Sequence, residues 1–370
     1  MDTWSEVRRL SGLLSPSLVI DRGLVERNLA AMVDLARGPE RLRPHVKTHK
    51  MPALVRMTEA LGVHRHKCAT IAEAEMVARA GGHDILLAFP IVGPNVARLA
   101  ALARHFPETQ FRTLVDDADA ARALSHGLTG LDQPVAALVD LDVGMGRTGI
   151  APGDAAAGLY ALVSQLPGLV ADGLHAYDGH LQDPDPAERA RQARPGIEQT
   201  LQLRDRLLAS GLPVPRLVFG GTPTFPIHAA TDEPGVECSP GTCTLYDAGY
   251  AAKFADLPFV PAAVIFSRVI SRPGKGRITL DLGHKAVAAD PVGARVRLLD
   301  VPDATIVGQS EEHLVVDTPA ADRFPPGTVV LGIPIHICPT CALHRRAYVV
   351  DNGRVVDEWE VAARDRVLTF

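Results

Sequence analysis

A chain of 370 residues is longer than one hydrophobic core usually sustains, so one large barrel with an appendage, or two domains, is expected. With 46% hydrophobic and 22% charged residues it has the composition of neither a disordered nor a fibrous protein. The 38 basic and 43 acidic residues are scattered, which removes the footprint of a general nucleic-acid binder and leaves small-molecule chemistry as the expectation.

The N-terminal stretch MDTWSEVRRLSGLLSPS mixes Asp2 and Glu6 with its basic residues and lacks an apolar core, so it does not read as a signal peptide. No run reaches the length of a membrane span. The five cysteines, Cys68, Cys238, Cys243, Cys338 and Cys341, are an odd number and point to reduced thiols, hence to the cytoplasm.

From about residue 40 to 245, short apolar runs alternate with Ala/Leu/Glu/Arg-rich segments, the rhythm of repeated β–α units. Eight strands are predicted: Arg41–Lys47, His64–Ala69, Asp84–Ala88, Phe111–Val115, Val135–Asp142, Leu169–Tyr177, Arg216–Gly220 and Gly235–Cys238. The segments Ile71–Ala80, Asn95–His105, Asp117–His126 and Ala187–Ser210 carry helical spacing. An α/β fold follows, a (β/α)8 TIM barrel over 16–250 with its active site at the C-terminal ends of the strands. Beyond Pro258 the elements are short and β-branched: Val264–Ser271, Arg277–Asp281, Ala294–Leu299, His313–Val316, Thr328–Leu331, Arg346–Val350 and Arg354–Trp359, the last two joined by the hairpin signal Asn352-Gly353. Residues 251–370, possibly with 1–15, are expected to form an all-β C-terminal domain.

The first predicted strand ends in Pro44-His45-Val46-Lys47-Thr48-His49-Lys50. Burying an ammonium at a strand end depresses its pKa, which suits a Schiff-base lysine that must act as a nucleophile near neutrality; solvated loop lysines are the plain alternative. This segment resembles the cofactor-lysine motif of the D-threonine aldolase and D-serine dehydratase family, pyridoxal-phosphate enzymes with an alanine-racemase-like barrel followed by a β domain. Further motifs match in order. Asp142-Val-Gly-Met-Gly-Arg147 resembles the segment whose arginine meets the cofactor's phenolic oxygen, and His175-Ala-Tyr177 the strand whose tyrosine borders its ring. Gly220-Gly221-Thr222 and Gly241-Thr242 resemble the phosphate loops, and Tyr246 stands where an active-site tyrosine is expected. The resemblance thus implies pyridoxal 5'-phosphate on Lys47, with Arg147, Tyr177, Gly220, Gly221, Thr222, Gly241, Thr242 and Tyr246 around it. Paired glycines beside hydroxyl residues also suit phosphate physically, since bare backbone N–H groups can converge on it.

In Pro334-Ile-His336-Ile-Cys338-Pro-Thr340-Cys341-Ala-Leu-His344, extended backbone turns positions i and i+2 to one side, so His336 and Cys338 are candidate ligands of one divalent ion. Imidazole with thiolate favours zinc, with manganese or magnesium as alternatives. A closed structural site of His336, Cys338, Cys341 and His344 is a rival reading. The segments holding Asp281 and Glu311, Glu312 and His313 resemble family segments near the domain interface, where the glutamates or His313, a candidate catalytic group, would face the substrate; a hairpin surface is the plain alternative.

A metal beside the cofactor implies 3-hydroxy amino acids as substrates, in the D configuration by the resemblance. Lys47, Tyr177 and His313 are the candidate catalytic side chains. D-threonine aldolase chemistry, giving glycine and an aldehyde, is narrowly favoured over D-serine or D-3-hydroxyaspartate dehydratase chemistry, to which Cys338 points. An amino-acid racemase would need no metal, and a regulator that only binds the cofactor would show no turnover. A homodimer without nucleic-acid or membrane partners is expected.

Overall fold

The apolar run Leu18-Val19-Ile20 forms β1 (Ser17–Asp21), buried from its second residue on. In the computed structural model, which describes residues 4–10 and 12–370, β1 belongs to the larger of two sheets. The chain divides into two compact units. The barrel unit holds residues 32–47, 52–241 and 365–370; the β unit holds the described residues up to Ala31, with 48–51 and 242–364.

In the barrel unit a parallel sheet runs in chain order through β2 (Arg65–Cys68), β3 (Asp84–Pro90), β4 (Gln110–Val115), β5 (Val135–Leu141), β6 (Leu169–Ala176), β7 (Leu217–Phe219) and β8 (Val236–Cys238). Helices fill the connections, and side chains cap several of them: Thr70 accepts from the Glu73 N–H, Asp117 from Asp119 and Ala120, and Asp185 from Ala187.

Seven strands form where eight were predicted. Pro44 has no N–H to give a ladder, so the segment 41–47 makes two isolated parallel bridges, Leu42 with Cys238 and His45 with Lys67, before a 3-10 turn at Val46–Thr48. The Arg43 N–H reaches the Cys238 carbonyl at 2.8 Å, and the Lys67 N–H reaches that of Pro44 at 2.9 Å. The segment thereby links the last strand to the first.

Alternate strand positions turn inward. At the level where the strands begin, Arg43, Asp84, Arg112, Asp172, Arg216 and Glu237 form a closed cycle of ion pairs. Pairs such as Arg112 on β4 with Asp172 on β6 skip a strand, so they cross the interior. Leu86, Leu114, Leu138 and Val218 pack together two positions further along. In β6 the partner of β5 jumps from Ala171 to Gly173, making Asp172 an extra residue. That bulge lets Asp172 and His175, three apart, both meet interior partners.

The β unit is mostly strand: β9 (Ala263–Gly274), β10 (Arg277–Leu280), β11 (Val296–Leu298), β12 (Thr305–Gln309), β13 (Leu314–Asp317), β14 (Val329–Pro334), β15 (Arg346–Asp351) and β16 (Arg354–Glu360). Its order is β12-β13-β10-β9-β1-β15-β16, with β14 also on β9 and β11 on β14. Trp4, Val7, Val19, Val264, Phe266 and Leu331 are part of its core. Among the described residues no helix is long and apolar enough to cross a membrane, and none of the five cysteines forms a disulfide.

Candidate active site

In the barrel unit three cations gather about one aromatic ring. The Lys47 Nζ lies 5.7 Å from the centroid of Tyr177, the Lys67 Nζ 5.5 Å, and the Arg147 Cζ 4.9 Å, all within cation–π range. Glycine backbone hems the ring in: a Cβ on Gly179 would lie 2.1 Å from the Tyr177 hydroxyl, and one on Gly221 3.2 Å from its ring. Gly220 has a left-handed φ of +71°, and a Cβ there would stand 2.4 Å from the His228 ring.

Buried side chains fix this glycine loop from below. His228 stacks on Phe219 and sets its Nε2 2.7 Å from one Asp178 oxygen, while the Thr224 hydroxyl donates to the other at 2.7 Å. Burial pushes the Asp178 carboxyl up, but His228 and Thr224 together hold it below its ordinary range. The Thr222 hydroxyl oxygen accepts from the Gly241 N–H at 3.2 Å, tying the two predicted phosphate loops together.

One layer deeper, Asp140 accepts from the Thr148 hydroxyl at 2.9 Å and meets His175 Nδ1 at 2.6 Å. A carboxylate at Nδ1 fixes the imidazole hydrogen there. Burial, then the charge of Lys67, pushes the His175 pKa down, so the ring is neutral. Burial, then the charge of Lys47, lowers Lys67 to about 7.

In the β unit His336 and Cys338 do not share a strand face. His336 is the N-cap of a short helix, Ile337–Leu343, with Cys338 inside its first turn. Pro339 permits that turn, since a proline early in a helix loses no hydrogen bond. Asp247 starts it from outside by accepting the Ile337 N–H at 3.1 Å, and also caps the helix Ala248–Lys253; burial pushes its carboxyl up to about 6. The two side chains nevertheless meet: a hydrogen bond accepted by Cys338, with Asp290, raises His336 to about 9 against the opposing effect of burial. Asp290 lies 2.5 Å from His336 Nδ1, a carboxylate placed to orient the imidazole. The Cys338 sulfur lies 3.2 Å from the Thr48 hydroxyl and 3.7 Å from that of Thr242.

The four-ligand alternative finds no support. His344 Nε2 bonds the Ala286 carbonyl at 2.8 Å, and the buried Cys341 thiol is pushed well up by desolvation. No cluster of three or more His, Cys, Asp or Glu suited to a metal exists among the described residues. Tyr246 is buried with φ +48°, its ring against Tyr250 and Phe259. Asp281 accepts from the Arg268 N–H, whereas Glu311 and Glu312 pair with Lys285 on the surface, and His313 is exposed in the turn before β13. Sequence reasoning missed Lys67, Asp140, Asp178 and His228. A lysine inside a predicted four-to-six-residue strand was the available signal for the first.

Comparison with known proteins places this geometry. Residues 20–245 match the alanine racemase N-terminal domain, and 262–350 match the putative serine dehydratase domain. The chain belongs to the D-threonine aldolase and D-serine dehydratase family and is an enzyme of that lyase group. It is 32% identical to the D-threonine aldolase of Arthrobacter sp, over 95% of this chain and 92% of that one. The crystal structure of D-threonine aldolase from Filomicrobium marinum superposes with a TM-score of 0.88 at 32% identity, over 96% and 97% of the two chains. The D-threo-3-hydroxyaspartate dehydratase of Delftia sp. (strain HT23) is 27% identical over 94% and 96%. Its solved structures include a histidine-to-alanine mutant and, two positions further on, a cysteine-to-alanine mutant in the metal-free form.

Proposed function

We propose that the protein is a pyridoxal-phosphate-dependent, metal-assisted lyase of D-3-hydroxy amino acids, and that its reaction is the aldol cleavage of D-threonine. The observation that carries the reading is the grouping of the Lys47 amine and the Arg147 guanidinium about the face of Tyr177. An aromatic aldehyde phosphate suits that set. Lys47 is the amine that would hold its aldehyde carbon, Tyr177 the flat support, Arg147 the countercharge for a ring oxygen, and the backbone of Gly220, Gly221, Thr222 and Gly241 the phosphate cradle. Bound there, the cofactor supplies an electron sink for the pair left on the α-carbon when a bond to it breaks.

Two donors, an imidazole and a thiolate, suit an open divalent site, zinc first, and Asp290 would orient His336 in it. Such an ion supplies Lewis-acid charge for the hydroxyl of the substrate. Similarity to the two aldolases supports the cleavage. Five cysteines with no disulfide among them support a reducing compartment such as the cytoplasm.

The His336-x-Cys338 spacing favours a second reading, β-elimination, because the Delftia dehydratase carries mutated histidine and cysteine positions at the same spacing. Incubation with pyridoxal phosphate, zinc or manganese, and D-threonine or D-serine separates the two. Aldol cleavage releases glycine and acetaldehyde from D-threonine. A keto acid with ammonia instead establishes elimination, and turnover of only L-amino acids, or racemisation of alanine untouched by EDTA, removes both.

A further inference from the structure

The interior layer beside Tyr177 contains three buried polar atoms that no protein group satisfies, His228 Nδ1 under the glycine loop and two more on Lys67 and His175. Lys67 projects from the third position of β2, and its Nζ has no hydrogen-bond partner among the described residues. His175 Nε2, on the far side of the imidazole from Asp140, is also without one. The nearby carboxylates are committed elsewhere: Asp140 to His175 and Thr148, Asp178 to His228 and Thr224. The remaining charges close to Lys67, those of Lys47 and Arg43, are positive and raise the cost of a buried ammonium. A side chain needed only to fill this volume would be Met or Leu.

We propose that Lys67 is a second ligand-binding cation of the Lys47 site, and that with Arg147 it holds an anionic oxygen of the molecule that packs on Tyr177. This rests on the reading that Lys47 carries pyridoxal phosphate and adds to it. Two oxygens have the required chemistry, the ring oxygen of the cofactor and the carboxylate of the amino acid. An ammonium serves either as a compact point charge with rotatable donors. The arriving anion completes the hydrogen bonding of Lys67 and stabilises its charged form, so it converts an unfavourable burial into a binding contribution.

The test uses the full chain with Lys67→Met and Lys67→Arg. Borohydride reduction of the wild type with pyridoxal phosphate, then peptide mapping, should place the label on Lys47; its absence there removes both this proposal and the reading beneath it. Without cofactor, Lys67→Met should melt at or above the wild type, because it deletes an unpaired buried charge. A fall of more than about 3 °C would instead identify a structural cation and overturn the proposal. Pyridoxal phosphate titration at pH 7, followed by visible absorbance, reads the first source: if the oxygen is the cofactor's, Lys67→Met weakens binding at least about tenfold and Lys67→Arg restores part of it. If it is the substrate's, cofactor affinity is unchanged and at least about tenfold more D-threonine or D-serine is needed to perturb the spectrum. Values within twofold of wild type in both titrations refute the proposal and leave the Lys47 assignment standing.

Discussion

Replacing Arg43 with Met should destabilise the barrel unit far more than an ordinary surface change, because it opens the ion-pair cycle at its most buried member. Arg43 is fully buried, with Nη1 2.6 Å from Asp84 and Nε 2.5 Å from Glu237. Arg112 bridges Asp84 to Asp172 at 2.5 and 2.6 Å, and Arg216 closes the cycle at 2.6 Å to Asp172 and 3.3 Å to Glu237. Three guanidiniums and three carboxylates balance. Without Arg43 a carboxylate is in excess, and Glu237 keeps only Arg216 and the half-buried Arg65, each at 3.3 Å. Removing one partner of a buried pair costs about 3–5 kcal/mol, which lowers the melting temperature of a unit this size by roughly 6–20 °C.

The assay is urea or thermal unfolding without cofactor, followed by helical circular dichroism, since both tryptophans, Trp4 and Trp359, lie in the β unit. Arg43→Met/Glu237→Gln restores neutrality and should recover at least about 1 kcal/mol of the loss. Burial pushes Asp84 up, but the charges of Arg43 and Arg112 outweigh it and leave the carboxyl depressed. A depressed carboxyl contributes stability that is present above its ordinary pKa and fades as pH falls through its lower folded value, so the gap between wild type and Arg43→Met should narrow as pH falls below the ordinary carboxylate range. A loss under about 1 kcal/mol at pH 7, or a double mutant whose cost is the sum of the two singles, refutes the cycle as a cooperative unit.

Other outcomes follow from the same geometry. His336→Ala or Cys338→Ala should abolish bound zinc measured by elemental analysis of folded protein, while His344→Ala and Cys341→Ala keep it, because His344 is spent on the Ala286 carbonyl. Gly220→Ala should cost at least about 2 kcal/mol by thermal unfolding, since a positive φ alone costs about 1–2 and the new methyl meets His228. Lys67 has a folded pKa of about 7, below its unfolded value, so the unfolded chain holds the extra proton between about pH 7 and 10. Stability of the cofactor-free wild type should therefore rise across that window by up to about 4 kcal/mol relative to Lys67→Met, and run parallel to it below pH 7.

The strands of both units were legible wherever one periodicity dominated. The runs after Pro258 became β9 to β11 and β13 to β16 within a few residues of their predicted bounds. Thr305–Gln309 was missed because Gly308 cuts the short apolar run Ile306-Val307 and breaks the alternation, and the tertiary pairing with β13 supplies what propensity does not. The segment 41–47 read as a strand because its apolar residues alternate correctly; Pro44 decided otherwise. His336 and Cys338 were paired on strand geometry, yet they meet across a helix start set by Asp247, 90 residues away in sequence. No local pattern carries that information. Asp172 and His175 mislead for a related reason: a bulge reverses the face of one of them, and bulges have no reliable signature in a single sequence.

The barrel interior holds two polar layers built on the same strands, and the difference between them separates structure from function. In the lower layer the charges close on each other, and each acid and each base of the cycle has two partners within it. In the upper layer Asp140 and Asp178 are fully committed to positioning His175, His228 and the glycine loop, while Lys67 Nζ and His175 Nε2 remain open. Arg43 Nη2 and Arg216 Nε of the lower layer are without a hydrogen bond too, yet each of those guanidiniums meets two carboxylates, whereas the Lys67 ammonium has no hydrogen-bond partner, and a buried, unsatisfied polar atom costs about 1–3 kcal/mol. An unpaired ammonium next to Tyr177, beyond the closed cycle, is what the proposed anion would complete. The closed ion-pair cycle beneath supplies a rigid base for that layer.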